Sequence, residues 1–403
     1  MKLISTPKLR NPWQPVKILM VIIMGIVFWG LITDAKIQAR EAIYIRDIFW
    51  FILIGILPAL IMVAPLVWRN ICPLSTANLL HFSLFHRKRL QQEGVSANQP
   101  KHRAHKKIYE WWKRNGTIIS ALLFWIIVPH RITLFNDSSI ITFWIFFSFF
   151  IVALLLGALF PVKSGWCTSI CPLFSIEKMY SINPAIHLDN KRCDYIHNDT
   201  INSCSGCSSH CIDVIDPEHA YWQESQHQTN TSLNAEMRKI FISTFPGFVL
   251  GYFLSALIIT SNPGILFIIQ EVILFSTIAG FMLATRIIYL VIKSWGKQYY
   301  HHLGHNKSDI QPQHREKLAD FWYERLKRRL HLIFAATGWN IFYIFSSLRV
   351  SHIIVSHGFG VANSIDVLAG ILLYSIFACI SFLWVIRGWN ETHQPYHYKT
   401  SWW

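Results

Sequence analysis

The chain has 403 residues, of which 52% are hydrophobic, 15% aromatic and only 15% charged, with a net charge of +15. A soluble globular chain carries about a quarter of its residues as Asp, Glu, Lys and Arg, so the composition excludes an ordinary soluble domain. The positive charge alone would suggest nucleic acid, but no recognition motif accompanies it, and nucleic acid is not an expected partner.

The apolar residues fall in blocks near 16–33, 47–67, 116–135, 139–160, 243–261, 265–292, 331–349 and 364–386. Each block is about 18 residues or more, long enough to cross a hydrocarbon core as a helix. The expected fold is therefore an all-α integral membrane protein with about eight transmembrane helices. Lys8 and Arg10 precede the first block, and Ala35 and Ala39 follow it. The block is long for the apolar region of a signal peptide, and a retained anchor is expected.

Between the blocks, the basic residues alternate in density. Lys2, Lys8, Arg10 and Lys17 precede or open the first span, nine cations run from Arg87 to Arg114, and nine more from Lys293 to Arg329. The opposite side carries Lys36, Arg40, Arg46, Arg131 and Arg349. This bias places both termini in the cytoplasm and makes membrane lipid, through anionic headgroups, an expected partner.

The chain thus divides into two spans in 1–67, a basic loop with a Cys-Pro motif in 68–115, and spans three and four in 116–160. A Cys-rich cytoplasmic insert occupies 161–242, followed by spans five and six in 243–292, a basic loop in 293–330, spans seven and eight in 331–386, and a tail, 387–403.

Spans two and four end in one peptide: Ile71-Cys72-Pro73-Leu74 and Ile170-Cys171-Pro172-Leu173. A repeated two-span unit is the reading that explains this. Aligning the copies sets Trp68 opposite Cys167, so the second copy reads C-x3-C-P and the first keeps only its last cysteine. Proline suits the first helical position, so Cys72 and Cys171 are expected at helix N-termini, where the dipole favours a thiolate or an anionic cluster. Cys72, Cys167 and Cys171 could then converge and hold a second centre, with a non-cysteine ligand or only three irons. Otherwise they are structural remnants of the repeat.

The insert itself reads C-x10-C-x2-C-x3-C, at Cys193, Cys204, Cys207 and Cys211. Four thiolates satisfy a 4Fe–4S cluster, and the tight second half resembles a ferredoxin run. The first cysteine is farther away than in ferredoxins, and Ile212 stands where they have proline. Structural zinc commonly uses two C-x2-C knuckles, and here only Cys204 and Cys207 make one. Disulfides are disfavoured on the reducing, cytoplasmic side. Cys379, inside the last apolar block, is expected to be a packing residue.

With these motifs the chain resembles membrane-bound polyferredoxin-type proteins with C-x3-C-P motifs at cytoplasmic helix ends, the NapH and NosR types. Members of that group accompany periplasmic nitrate reductase and nitrous oxide respiration. The likeness covers about residues 47–220: Cys167, Cys171 and Pro172 match the motif fully, Cys72 and Pro73 only its second half. The resemblance implies a bacterial cytoplasmic (inner) membrane protein with a ferredoxin-like Cys-rich insert. It also implies electron transfer between the quinone pool and a redox partner, by a subunit of an oxidoreductase complex. Spans five to eight match no recognised pattern.

A quinone site needs polar groups near lipid, and His130, Arg131 and Glu271 are the candidates, all placed toward the outer side by the expected topology. The plainer reading is that they cap helices and meet headgroups; Arg286 is expected to snorkel. Haem would need facing histidines, for which His130 with His352 is the pair to propose; haem is not the expected cofactor. The expected function is a redox carrier. The alternatives are an assembly or regulatory protein whose iron–sulfur or zinc site is structural or sensing, and a transporter with a metal-stapled domain.

Overall fold

The computed structural model describes residues 13–34, 45–85, 103–136, 138–159, 166–180, 233–262, 264–305, 312–358 and 363–391. Among these, 94% are helical and none is in a strand. The chain divides into two compact units, Met1–Asn234 and Ala235–Trp403.

In the first unit, helices α1 (Trp13–Asp34), α2 (Ile45–Val63), α3 (Pro65–Ile71), α4 (Pro73–Phe85), α5 (Arg103–Ile127), α6 (Ser139–Leu159) and α7 (Phe174–Tyr180) follow one another. Proline sets the breaks between the early ones. Ala64 leaves the helical region (φ −148°, ψ 72°) just before Pro65. Cys72 (φ −56°, ψ 121°) adopts the extended conformation that a following proline imposes. Pro73 then opens α4, where its missing N–H costs nothing.

The longest packing seam of this unit joins α4 to α6. Asn78 Nδ2 donates to the Ala153 carbonyl at 2.9 Å. Beside it, a Cβ on Gly157 would stand 1.9 Å from the Asn78 carbonyl oxygen. Only a residue without a side chain lets the two backbones meet there, the small-residue contact common between membrane helices. At the other end of α6, Trp50 stacks on Phe135 (5.8 Å, 1°) and Phe49 meets Phe146 edge-on at 4.7 Å. Thr142 Oγ1 accepts from Trp50 Nε1 and donates to the Phe135 carbonyl.

The second unit holds most of α8 (Leu233–Thr260), then α9 (Phe267–His305), α10 (Pro312–Ser351) and α11 (Asn363–Glu391). Helix α8 is its centre: 67% of its most apolar stretch is buried, against 11% for α9 and 17% for α11. Gly247 lets α8 and α9 touch, since a Cβ there would lie 2.1 Å from the Phe281 carbonyl oxygen. Helices α10 and α11 are joined by Trp339 Nε1 donating to the Phe377 carbonyl and Asn340 Nδ2 to Ser381 Oγ, at 3.1 and 3.0 Å.

Among the described residues, five helices are long and apolar enough to cross a membrane: Ile45–Val63, Ser139–Leu159, Glu236–Thr260, Phe267–His302 and Ile365–Asn390. Ile18–Asp34 and Asn115–Ile127 are apolar but shorter. The block at 331–349 is helical, as the C-terminal half of α10, but is not among the five. Asn340, Ser346, Ser347 and Arg349 dilute its apolar character. The basic segment 293–330 is largely helix, because α9 runs on to His305 and α10 starts at Pro312. Cys193, Cys204, Cys207 and Cys211 lie outside the described residues.

The two glycine environments give a paired test. Gly157→Ala should destabilise the folded chain by about 1–3 kcal/mol through overpacking. Gly25→Ala, in α1 with nothing within 4 Å of the added carbon, should be neutral or slightly stabilising. Denaturant titration of both variants in detergent micelles measures the difference.

Candidate functional site

The two Cys-Pro peptides of the first unit meet. The first copy runs from α3 through Cys72 into α4; the second runs from a π-helical turn, Trp166–Ile170, through Cys171 into α7. Each cysteine is the residue at which one helical stretch stops and the next begins. Cys72 N donates back to the Trp68 carbonyl, while its own carbonyl accepts from Thr76 N; Cys171 N donates to the Trp166 carbonyl, and its carbonyl accepts from Phe174 N. The N–H groups of Ser75 and Leu74 are directed at the Cys72 thiol, and that of Leu173 at the Cys171 thiol. These are the free donors of a helix start, as expected for a Cys-Pro pair.

Helix α5 stitches the second copy in place. Ser120 Oγ donates to the Cys171 carbonyl at 2.8 Å and accepts from Ser175 N at 3.2 Å. The Ser120 hydroxyl proton is therefore committed, so Ser175 is the donor in the 3.1 Å contact between the two hydroxyls. Both serines are buried.

Cys72, Cys167, Cys171 and Glu177 form one electrostatic neighbourhood. Cys167 and Cys171 are buried among Trp166, Phe174, Ala77, Ala153 and Leu156. Glu177, also buried, sits on α7 six residues after Cys171, and its Oε1 accepts from Trp68 Nε1 at 2.8 Å. Trp68 occupies the position that Cys167 holds in the second copy; here it supplies a donor to a buried acid in place of a thiol. Burial first, then the nearby Cys167 and Glu177 charges, push the Cys72 thiol up to about 12 against the opposing Ser75 and Leu74 amides. Cys171 is raised too, by burial first and then by Glu177, Cys167 and Cys72.

A 4Fe–4S cluster, the group the sequence resemblance implies, needs four donors around one space. Among the described residues, no group of three or more His, Cys, Asp or Glu side chains is placed to hold a metal ion. The three thiols and Glu177 are neighbours, with Cys167 and Cys171 set in an apolar cluster.

The other candidate residues are described within their own units. His130 Nδ1 meets the Ile126 carbonyl of the preceding turn at 2.6 Å. The Arg131 guanidinium lies over Trp50 (5.1 Å) and Phe51 (4.8 Å). Both residues belong to the first unit, and Glu271 on α9 belongs to the second. His352, proposed as a haem partner of His130, instead holds Asp366 Oδ2 at 2.9 Å through Nδ1. Arg286 does not simply extend toward headgroups: its Nη1 donates to Ser243 Oγ at 2.8 Å. Cys379 is exposed on α11 and is no packing residue within the unit.

Sequence reasoning passed over Glu177, Ser120 and the role of Trp68. The available signal was the repeat alignment, which placed a tryptophan donor where a thiol was expected. Comparisons with protein-family models, with curated proteins and with solved structures give no match.

Two measurements test this geometry. The thiolate is the species that alkylates, so a raised thiol should react slowly. In metal-free protein, Cys72 alkylation should climb about tenfold per pH unit from about pH 7 to about pH 10 without levelling off. An ordinary thiol, with a value of 9.0, would level off within that range. Separately, Trp68→Phe removes the donor to a buried carboxyl and should cost about 1–3 kcal/mol in micellar unfolding.

Proposed function

We propose that this chain is a membrane iron–sulfur electron-transfer protein, passing electrons between the quinone pool and a redox partner protein. The observation that carries the reading is the set Cys193, Cys204, Cys207 and Cys211, four thiols with cluster-like spacing in a polar insert of an otherwise apolar helical chain. These four residues would hold a 4Fe–4S cluster, which supplies one-electron transfer when bound. The reading includes eight spans, both termini in the cytoplasm of a bacterial inner membrane, and the insert on that cytoplasmic side.

The first unit supports the reading in two ways. It carries the two Cys-Pro helix starts at one place, beside the point where the chain enters the insert. It also holds Arg131 on an aromatic face of Trp50 and Phe51, a setting suited to orienting a quinone ring through one cationic donor. His130 and Glu271 complete the proposed quinone-binding residues. The acids of the insert, Asp189, Asp194, Asp199, Asp213, Asp216 and Glu218, would steer a basic partner and set docking rate more than affinity.

Anaerobic purification with iron and sulfide analysis tests the proposal. About four irons and about four sulfides per chain are expected for one cluster, with a reducible spin-resonance signal that responds to added quinol. Cys207→Ser should abolish the signal. Zinc in place of iron would make the insert a structural staple, and a cluster indifferent to quinol would make the chain a sensor or assembly protein. Iron above the single-cluster value that falls in Cys171→Ser would place a second centre at Cys72, Cys167 and Cys171.

A further inference from the structure

In the second unit, one imidazole joins two helices in the midst of cations. His331 on α10 meets the Tyr289 hydroxyl of α9 at 2.9 Å through Nε2. The two rings lie 13° from parallel, with centroids 5.9 Å apart. Tyr289 is buried and packs edge-on against Phe334 at 5.3 Å. The Arg286 guanidinium lies over the same tyrosine ring at 5.6 Å, and its Nη1 donates to Ser243 of α8. One polar chain, Ser243–Arg286–Tyr289–His331, therefore crosses α8, α9 and α10. His331 lies outside the five membrane-crossing stretches and is only half-buried, so a proton can reach it.

The charges that act on His331 are positive. Helix α8 brings Arg238 and Lys239, α9 brings Lys293, and α10 itself brings Lys327. The acids on neighbouring turns are engaged, Glu236 with Lys239 and Glu324 with Lys327. Helix α11 meets a different face of α10: Arg329, which lies over Trp389, stands about 160° round the helix from His331. Arg387 is the cation that α11 brings to that level. Burial first, then Lys239, Arg238, Lys327 and Lys293, hold the imidazole well below its ordinary value of 6.5. A neutral imidazole suits the site, with one ring nitrogen to donate and one to accept. An imidazolium would add a charge among four cations and turn both nitrogens into donors.

We propose that Tyr289 and His331 form an acid-sensitive latch between α9 and α10, closed while the imidazole is neutral and released when it takes up a proton. An opened seam lets His331 take that proton at about its ordinary value, whereas the closed seam resists it. The seam is therefore at full strength above about pH 6.5 and weakens as the pH falls below it. The opening equilibrium shifts by about tenfold per pH unit, since one proton is gained on opening. Release falls on α10, because Arg286 still ties α9 to α8 through Ser243. The latch makes the second unit responsive to pH on the face where α9 and α10 carry their basic segments. It is independent of the iron–sulfur reading.

The test is backbone hydrogen exchange of the full chain in detergent micelles, at about pH 7.5 and about pH 5.5, corrected for the intrinsic pH dependence of exchange. Protection in residues 286–293 and 327–334 should fall by about tenfold on acidification. Protection in residues 371–383 of α11 should hold. His331→Gln keeps a hydrogen-bonding side chain that cannot take up a proton, and should abolish the acid response. Lys293→Gln removes one of the repelling cations and should shrink the response. No loss in the wild type, or an equal loss in a folded His331→Gln variant, would overturn the latch. An equal fall in residues 371–383 would mean opening of the whole unit and would overturn it as well. If His331→Gln does not fold, Lys293→Gln decides: a response as large as that of the wild type would refute the electrostatic cause.

Discussion

The residue before a proline is disfavoured in the α region, and although Pro58 sits inside α2, the two Cys-Pro peptides of the first unit are organised around that preference. At Cys72 the chain must turn extended, so α3 and α4 are two helices and a thiol stands at the junction. The same chemistry at Cys171 separates the Trp166–Ile170 turn from α7. Once both junctions exist, each helix start presents unpaired N–H groups, and each thiol is held against them. The Trp68–Glu177 hydrogen bond then ties the first copy to the second across 109 positions of sequence. That bond gives the buried carboxyl a donor and is a polar contact fixing the register of the two junctions.

Close approach of the helices around these junctions depends on what is absent from particular side chains. Gly157 lets the Asn78 backbone lie against α6, and Asn78 uses that proximity to reach the Ala153 carbonyl. In the second unit Gly247 does the same for α8 against α9. Such contacts need no hydrophobic drive between helices, which lipid would cancel; they gain from packing and from polar groups that find partners inside the protein.

The all-helical, membrane-crossing character was legible because apolar run length is a one-dimensional signal. Depth is legible in the same way, so His130, Arg131 and Glu271 were grouped by their distance along the spans. Azimuth and unit are not legible, and the structure divides those three between separate units. Cys379 shows the same gap, since its position in an apolar block gives no indication that it faces outward. The 331–349 block was legible as a helix, but its polar residues serve contacts with α11, such as Asn340 to Ser381, rather than marking an end. Glu177 was hidden for another reason: it is one acid in an acid-rich segment, and only folding puts Trp68 beside it.

The two units bury opposite charges and meet the cost by different means. Thiols can take up protons, so Cys72 and Cys171, both raised by burial, stay neutral, and the Trp68 indole supplies a hydrogen bond to Glu177. Guanidinium has no such route. The aromatic face on which the Arg325 guanidinium lies cannot satisfy in-plane donors. A buried neutral thiol needs no counter-charge, whereas a buried guanidinium does.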